Sequence, residues 1–222
     1  MSGSPRRIAL LGAESTGKTS LGQALAKALQ GRHGLRARLV PELLREWCER
    51  EGRTPRPHEQ AAIAHEQARR VLAIAEADAD VVIADTTPLM TAVYSEHLFA
   101  DRSLHDFALA HQVHYDLTLV TGLDLPWEPD GLQRDGAHVR EPVDRLLRAA
   151  LDGAALPYKV VYGQGERRLA NALQAIGGPL RPPDAAREAA QFAIDGGRRP
   201  WRCERCSDAD CEHRLFSDLL RR

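Results

Sequence analysis

Residues 12 to 19 read Gly12, Ala13, Glu14, Ser15, Thr16, Gly17, Lys18 and Thr19, which satisfies the pattern Gly, four residues, Gly, Lys, Ser or Thr at every position. No other feature of the chain limits its fold as much. Such a loop works between a buried strand and a helix, because the loop's N–H groups and the helix N-terminus must converge on one anion. The chain supplies both. The apolar run 8–11 enters the loop, and a segment from Thr16 to Gln30 with Leu21, Leu25 and Leu29 at helical spacing leaves it. That agreement of order and spacing argues against a chance glycine-rich turn. Within the motif the glycines permit the required backbone angles, Lys18 can reach the β- and γ-phosphates as a point charge, and the Thr19 hydroxyl is placed to ligate Mg²⁺ bridging them. Gly12, Glu14, Ser15, Thr16, Gly17, Lys18, Thr19 and Ser20 are therefore the expected nucleotide-binding set, with ATP or a similar nucleotide and Mg²⁺ as ligands.

The rest of the chain alternates short apolar runs with segments of helical period, which is the pattern of a parallel sheet covered by helices on both faces. Five strands are expected, at 8–11, 37–40, 81–84, 117–120 and 159–162, each nearly continuous in apolar residues as burial on both faces demands. Helices are expected at 57–77 and, broken near Asp101, across 88–111. Residues 126–142 interrupt the alternation with Trp127, several charges and two glycines but no apolar period. They read as a lid over the carboxyl edge of the sheet, where ligands bind in such folds. The stretch GGPLRPPD after Ile176 reads as a linker, followed by a short helix at 184–194 and a cysteine-bearing tail. Two units are expected: residues 1–178 and an appendage, 179–222.

Five acidic or basic side chains can complete the site. Asp85 ends the third run, in VVIAD, where an acid can hold Mg²⁺ through water or contact substrate; the alternative is a helix N-cap before Thr86, Thr87 and Pro88. Glu42 and Arg45, in VPELLRE, share one helix face near the carboxyl edge. There Glu42 can accept a proton from an attacking hydroxyl or hold a ribose, and Arg45 can neutralise phosphate charge; a solvated ion pair is the plainer reading. In the lid, Arg134 and Arg140 are candidate cations for the charge that develops on equatorial phosphate oxygens, or else two exposed arginines. Gly163 and Gly165 follow the fifth strand in YGQGE, where the backbone can pass an adenine edge or simply turn.

The chain has 222 residues, with 30 Lys and Arg against 31 Asp and Glu, so its summed field offers no general attraction to nucleic acid or anionic lipid and a small-molecule partner is expected. No apolar run approaches the roughly 20 residues that span a bilayer, and a cytoplasmic location is expected. Three of the four cysteines fall between Cys203 and Cys211. Cys203, Cys206, Cys211 and His213 suit a structural Zn²⁺ site, the alternative being free thiols on a flexible tail. Such a tail can also serve a protein partner.

GAESTGKTS, VPELLREW, the His65-Glu66-Gln67 segment, VVIADTT and WEPDGLQRDGAHVRE together resemble the ribosylnicotinamide kinase domain of the trifunctional bacterial NAD-biosynthesis regulator and its stand-alone AAA-type ATPase and kinase relatives. The resemblance covers roughly residues 7 to 176. Its most specific parts are the Glu-Ser-Thr insert in the loop and the Asp130-Gly131 lid signature. It implies a P-loop NTPase fold with the kinase-like strand order 2-3-1-4-5, and transfer of the ATP γ-phosphoryl to the 5′-hydroxyl of ribosylnicotinamide. It further implies Lys18 and Thr19 on phosphate and Mg²⁺, Glu42 and Asp85 at the ribose and attacked hydroxyl, and Arg134 or Arg140 closing from the lid. One departure concerns the base: where the family's kinase has an aromatic residue stacked on the nicotinamide ring, this chain has Pro41, with Trp47 and Tyr94 as candidate substitutes. In these 222 residues no counterpart of its adenylyltransferase domain or DNA-binding region is expected. The competing expectation is an ATPase or switch that acts on a protein partner through the tail.

Overall fold

The computed structural model describes residues 5–76, 79–128 and 136–177. Arg134 of the expected lid, the expected helix at 184–194, and Cys203, Cys206, Cys211 and His213 lie outside the described residues.

Five strands form one parallel sheet: β1 (Arg6–Leu11), β2 (Ala37–Val40), β3 (Val81–Asp85), β4 (Leu117–Thr121) and β5 (Lys159–Val161). Their order is β2-β3-β1-β4-β5, as the resemblance implied. The central strands β3 and β4 are buried at every residue, whereas the edge strands β2 and β5 expose Arg38 and Lys159. Register follows from the side chains that must be hidden. Ile8 lies beside Ile83 and Leu117, and Leu10 beside Asp85 and Leu119, so the apolar ladder runs across the sheet and Asp85 arrives at its carboxyl edge.

Alternation along β1 divides the core into two halves. Ile8 and Leu10 pack with Leu21, Leu25 and Leu29 of helix α1 (Lys18–His33) and with Ala172 and Ile176 of helix α7 (Gly165–Ile176). Ala9 and Leu11 face the other side, against helices α3 (Pro57–Glu76), α4 (Pro88–Phe99), α5 (His105–Gln112) and α6 (Arg140–Gly153). Each fully buried Leu or Ile contributes on the order of 2 kcal/mol relative to exposure, and several on each face hold the sheet between its two helical layers. Helix α2 (Leu43–Glu51) lies between β2 and α3 and carries Arg45.

Several boundaries differ from those expected from the sequence. α1 begins at Lys18 rather than Thr16, because Gly17 takes the left-handed conformation that ends the loop. β3 continues through Asp85, and β5 stops at Val161, leaving Tyr162 about half exposed. The segment expected as the end of the lid is ordered: a 3-10 turn at Ala137–Val139 leads into α6, so Arg140 and Pro142 belong to a helix.

Candidate functional site

The phosphate loop is held by contacts from three directions. Gly12 has φ of 148°, and a Cβ there would lie 2.1 Å from Thr121 Oγ1, so both conformation and space demand glycine. Thr121 Oγ1, at the end of β4, lies 3.1 Å from the Leu11 carbonyl oxygen and 2.7 Å from Thr16 Oγ1, and Thr16 Oγ1 donates to the Ala13 carbonyl. The Glu128 N–H donates to Ser15 Oγ at 2.8 Å, tying the loop to the stem of the expected lid. At the start of α1, the cap residue Gly17 supplies no side-chain hydrogen bond and the first turn carries no acid. Its N–H groups and dipole are thus available to an anion. Lys18 Nζ donates to the Gly12 and Ala13 carbonyls at 3.0 and 2.9 Å, which keeps the ammonium over the loop.

Thr19 Oγ1 donates to Asp85 Oδ2 at 2.6 Å. Asp85 is buried, and its Oδ1 has no hydrogen-bond partner. A hydroxyl beside a carboxylate with one uncommitted oxygen is a donor set that suits a hard divalent cation, so these residues fit the Mg²⁺ expected from the sequence. The N-cap alternative for Asp85 fails. The cap of α4 is Thr87, whose Oγ1 accepts from the Leu89 N–H at 3.3 Å. Between them Thr86 adopts φ of 70°, an outlier for a β-branched residue, and this abrupt turn lets adjacent residues serve the loop and the helix separately.

On one side of the loop opens a cavity of about 500 Å³, bounded by Lys18, Thr19, Glu42, Arg45, Gln60 and Tyr94 among others. Glu42 ends the β2–α2 corner with its Oε2 3.7 Å from Arg45 Nε. Burial pushes its carboxyl above the usual range; Lys18 opposes that rise and Asp85 adds to it. The corner itself is clamped by Gln67 of α3, whose Oε1 accepts from the Leu43 N–H at 2.8 Å and whose Nε2 donates to the Pro41 carbonyl at 3.4 Å. Of the two candidate aromatic substitutes, Tyr94 lines this cavity and Trp47 does not; Trp47 instead carries the Arg53 guanidinium 4.8 Å above its ring. Phe99 and Leu98 extend the apolar wall.

A second cavity, of about 750 Å³, lies on the other side of the loop between Ser15, Leu125, Glu128 and the turn Gln164 to Glu166 that opens α7. Arg168 borders it and is buried to 3% exposure. Its guanidinium donates to the carbonyls of Gly163 (2.7 Å), Gly122 (3.4 Å) and Thr16, and to Asp124 Oδ1 (2.5 Å). Burial alone would push the Asp124 carboxyl up, yet the Gly163 N–H at 2.6 Å and Arg168 more than offset it and hold the carboxyl low. One buried cation thereby joins the phosphate loop, the end of β4 and the turn after β5. The sequence reading placed glycines in that turn and missed Arg168, since nothing in Arg167-Arg168 tells which of the two faces inward.

Arg140 is buried at the start of α6, where its Nη2 donates to the Leu123 carbonyl at 3.3 Å, and it lines neither cavity. Its charge presses on Arg168. Arg140, expected as a lid cation for phosphate charge or else as an exposed arginine, is thus a buried helix residue on the wall of neither cavity. Among the described residues no group of three or more His, Cys, Asp or Glu is gathered as a metal centre, and no helix is long and apolar enough to cross a membrane.

The five-stranded order and the loop at its centre define a P-loop nucleotide-binding domain. The chain belongs to the AAA domain family AAA_28, whose model matches residues 7–168. No curated protein matches it. Among solved structures, it is similar to the NadR protein in complex with NR, at 19% identity and a TM-score of 0.61, over 80% of this chain and 52% of that one. A NadR structure in complex with NAD and AMP-PNP gives 19% identity and a TM-score of 0.62, over 80% and 50%. The chain thus spans about half the length of these proteins. Deoxyadenosine kinase from M. mycoides with bound dCTP is similar at 12% identity and a TM-score of 0.52, over 77% of this chain and 98% of that one. The likeness in fold agrees with the P-loop fold and strand order that the motifs implied.

Proposed function

We propose that the protein is an ATP-dependent phosphotransferase that moves the γ-phosphoryl of ATP to the 5′-hydroxyl of ribosylnicotinamide or a related nucleoside. The observation that carries this reading is the 500 Å³ cavity that meets the loop at Lys18 and Thr19 and holds the desolvated carboxylate of Glu42. A protein that only hydrolyses nucleotide has no need of a roomy, partly apolar chamber at the phosphate end. An enzyme that transfers to an organic hydroxyl does.

Lys18 and the N–H groups of the loop and of α1 hold the phosphates, while the second cavity receives the nucleoside end of ATP. Thr19 and Asp85 would hold a Mg²⁺, which would supply charge neutralisation for the transferring group. Arg45 adds positive charge beside the acceptor. Glu42, ionised, takes the proton of the acceptor hydroxyl as its oxygen bonds to phosphorus and the bond from phosphorus to ADP breaks. Raised basicity suits that task, because the carboxylate is a stronger proton acceptor than a solvated one. The aromatic wall of Tyr94 and Phe99 provides for a planar base in the absence of an aromatic residue at position 41.

The deciding experiment incubates the protein with ATP and Mg²⁺ and a panel of nucleosides that includes ribosylnicotinamide, and measures ADP and phosphorylated product. ADP release that depends on the nucleoside, with ribosylnicotinamide among the best acceptors, is expected. ADP release unchanged by every nucleoside overturns the reading in favour of an ATPase or switch. Lys18→Ala, which acts on phosphate and not on the core, abolishes turnover while leaving the fold.

A further inference from the structure

Helix α3 buries one face made of Gln60, Ile63, Ala64, Gln67, Ala68 and Val71, the spacing of a single helical stripe. Two glutamines on such a stripe call for partners, since a buried amide without them is costly. Gln67 has its partners at the β2–α2 corner. Gln60, two turns earlier, does not: it is 2% exposed, its Oε1 is shut off from water, and that oxygen has no hydrogen-bond partner. Gln60 lines the 500 Å³ cavity together with Tyr94 and Phe99. An unpartnered carbonyl oxygen at the wall of a ligand chamber is satisfied when the ligand brings an N–H donor. The terminal torsion of a glutamine is soft, so its carboxamide turns readily to meet one.

Resting on the phosphotransferase reading, we propose that Gln60 is a specificity-determining residue: its carboxamide oxygen accepts a hydrogen bond from an N–H on the base of the acceptor nucleoside. The favoured acceptors carry an exocyclic amide or amino group on a planar ring that fits against Tyr94 and Phe99. A base whose substituent offers no N–H leaves Gln60 Oε1 buried and unpaired, and a site built to bond such a group rejects analogues that lack it. Glu42 and Arg45 lie at the phosphate end of the same chamber, so the two ends read different parts of one molecule.

The test compares wild type, Gln60→Leu and Gln60→Glu on three acceptors: ribosylnicotinamide, the corresponding carboxylate, and the riboside of unsubstituted pyridine. Wild type is expected to prefer the amide by about tenfold or more in kcat/KM. Gln60→Leu removes the acceptor oxygen and brings that preference close to unity, the loss falling mainly on KM. Gln60→Glu keeps an oxygen for the N–H and keeps the preference, a rescue that a merely structural role would not give. Thermal unfolding of each variant establishes that it is folded. A preference that survives in Gln60→Leu, or one absent from wild type, overturns the proposal. Should wild type phosphorylate none of the three, these ribosides are excluded as acceptors, the wider nucleoside panel decides the phosphotransferase reading, and calorimetric binding of the same three compounds decides the role of Gln60 separately. Amide binding lost in Gln60→Leu and kept in Gln60→Glu upholds it, and equal or absent binding across the variants overturns it.

Discussion

Thr19, in the first turn of α1, donates its hydroxyl to the carboxylate of Asp85, at the end of β3, through a hydrogen bond of 2.6 Å. Each is the last residue of its motif, Thr19 of the loop and Asp85 of VVIAD, and the register of β1 with β3, which sets Leu10 beside Asp85, brings them together. Replacing Asp85 by Asn keeps the size and one acceptor but removes the charge that a divalent cation needs. Asp85→Asn is expected to lower nucleotide turnover by at least about 100-fold and to weaken Mg²⁺ dependence, as metal titration of the rate will show. Its thermal stability stays near that of wild type, because the Asp85 carboxylate has one oxygen unpartnered in the fold.

Glu42 yields a prediction whose rate and stability effects have opposite signs. Burial favours the neutral acid and lifts its ionisation above the ordinary value near 4.5. Acting as a base requires the ionised form, so kcat/KM falls as pH drops through that raised value, and the acid limb lies above the range of a solvated carboxylate. A raised carboxyl also costs stability once pH passes its unfolded value, because the native state then holds a buried charge. Glu42→Gln is therefore expected to lose about 10² to 10⁴ of the rate and the acid limb with it, while raising the unfolding temperature at neutral pH. A variant that keeps the limb assigns it to another group.

Arg168 makes four separate hydrogen bonds, three to backbone carbonyls of different segments. Truncation leaves those acceptors and Asp124 without their shared donor. Arg168→Ala is expected to destabilise the fold by about 2 to 3 kcal/mol and to raise KM for ATP, since the loop and the turn bounding the second cavity lose their common anchor. Arg168→Lys provides one donor group with a different geometry and recovers only part of both. Denaturant unfolding and ATP titration measure the two effects independently.

The strands and the loop were legible in the sequence because both depend on local rules. A strand buried on both faces has to be almost wholly apolar, which the run 81–84 displays throughout and 117–120 with the one exception of Thr118, whose Oγ1 accepts from Gln112 Nε2 at 2.9 Å, and the loop's chemistry fixes the spacing from Gly12 to Thr19. Asp85 was found through its place at a strand end. Gln60 and Arg168 were hidden for one reason: their meaning depends on what the fold brings to them from elsewhere. Gln60 and Gln67 look alike in the sequence, and they part only when the β2–α2 corner closes over one and a cavity opens beside the other. Arg140 differs in the opposite sense: a charged residue after a polar stretch was expected in the lid as a cation for phosphate, and the helix it begins instead buries it with its guanidinium on the Leu123 carbonyl.

Stability toward acid should depend on a histidine far from the site. His111 on α5 is partly buried, with its Nδ1 shut off from water and unpartnered and its ring edge-on to Tyr115, the centroids 5.5 Å apart. Burial, reinforced by the charges of His114 and Arg7, lowers its pKa from 6.5 to about 4. A base with a depressed native pKa favours folding fully above its unfolded value, and that contribution is lost as pH falls from about 6.5 toward about 4, when the unfolded chain takes up the proton first. Over that window the loss is on the order of 3 kcal/mol. His111→Phe keeps a ring of similar size beside Tyr115 and removes the titration. Its stability is expected to vary less between pH 6.5 and 4 than that of wild type, as denaturant unfolding at several pH values will measure, and equal slopes for the two proteins place the acid sensitivity elsewhere.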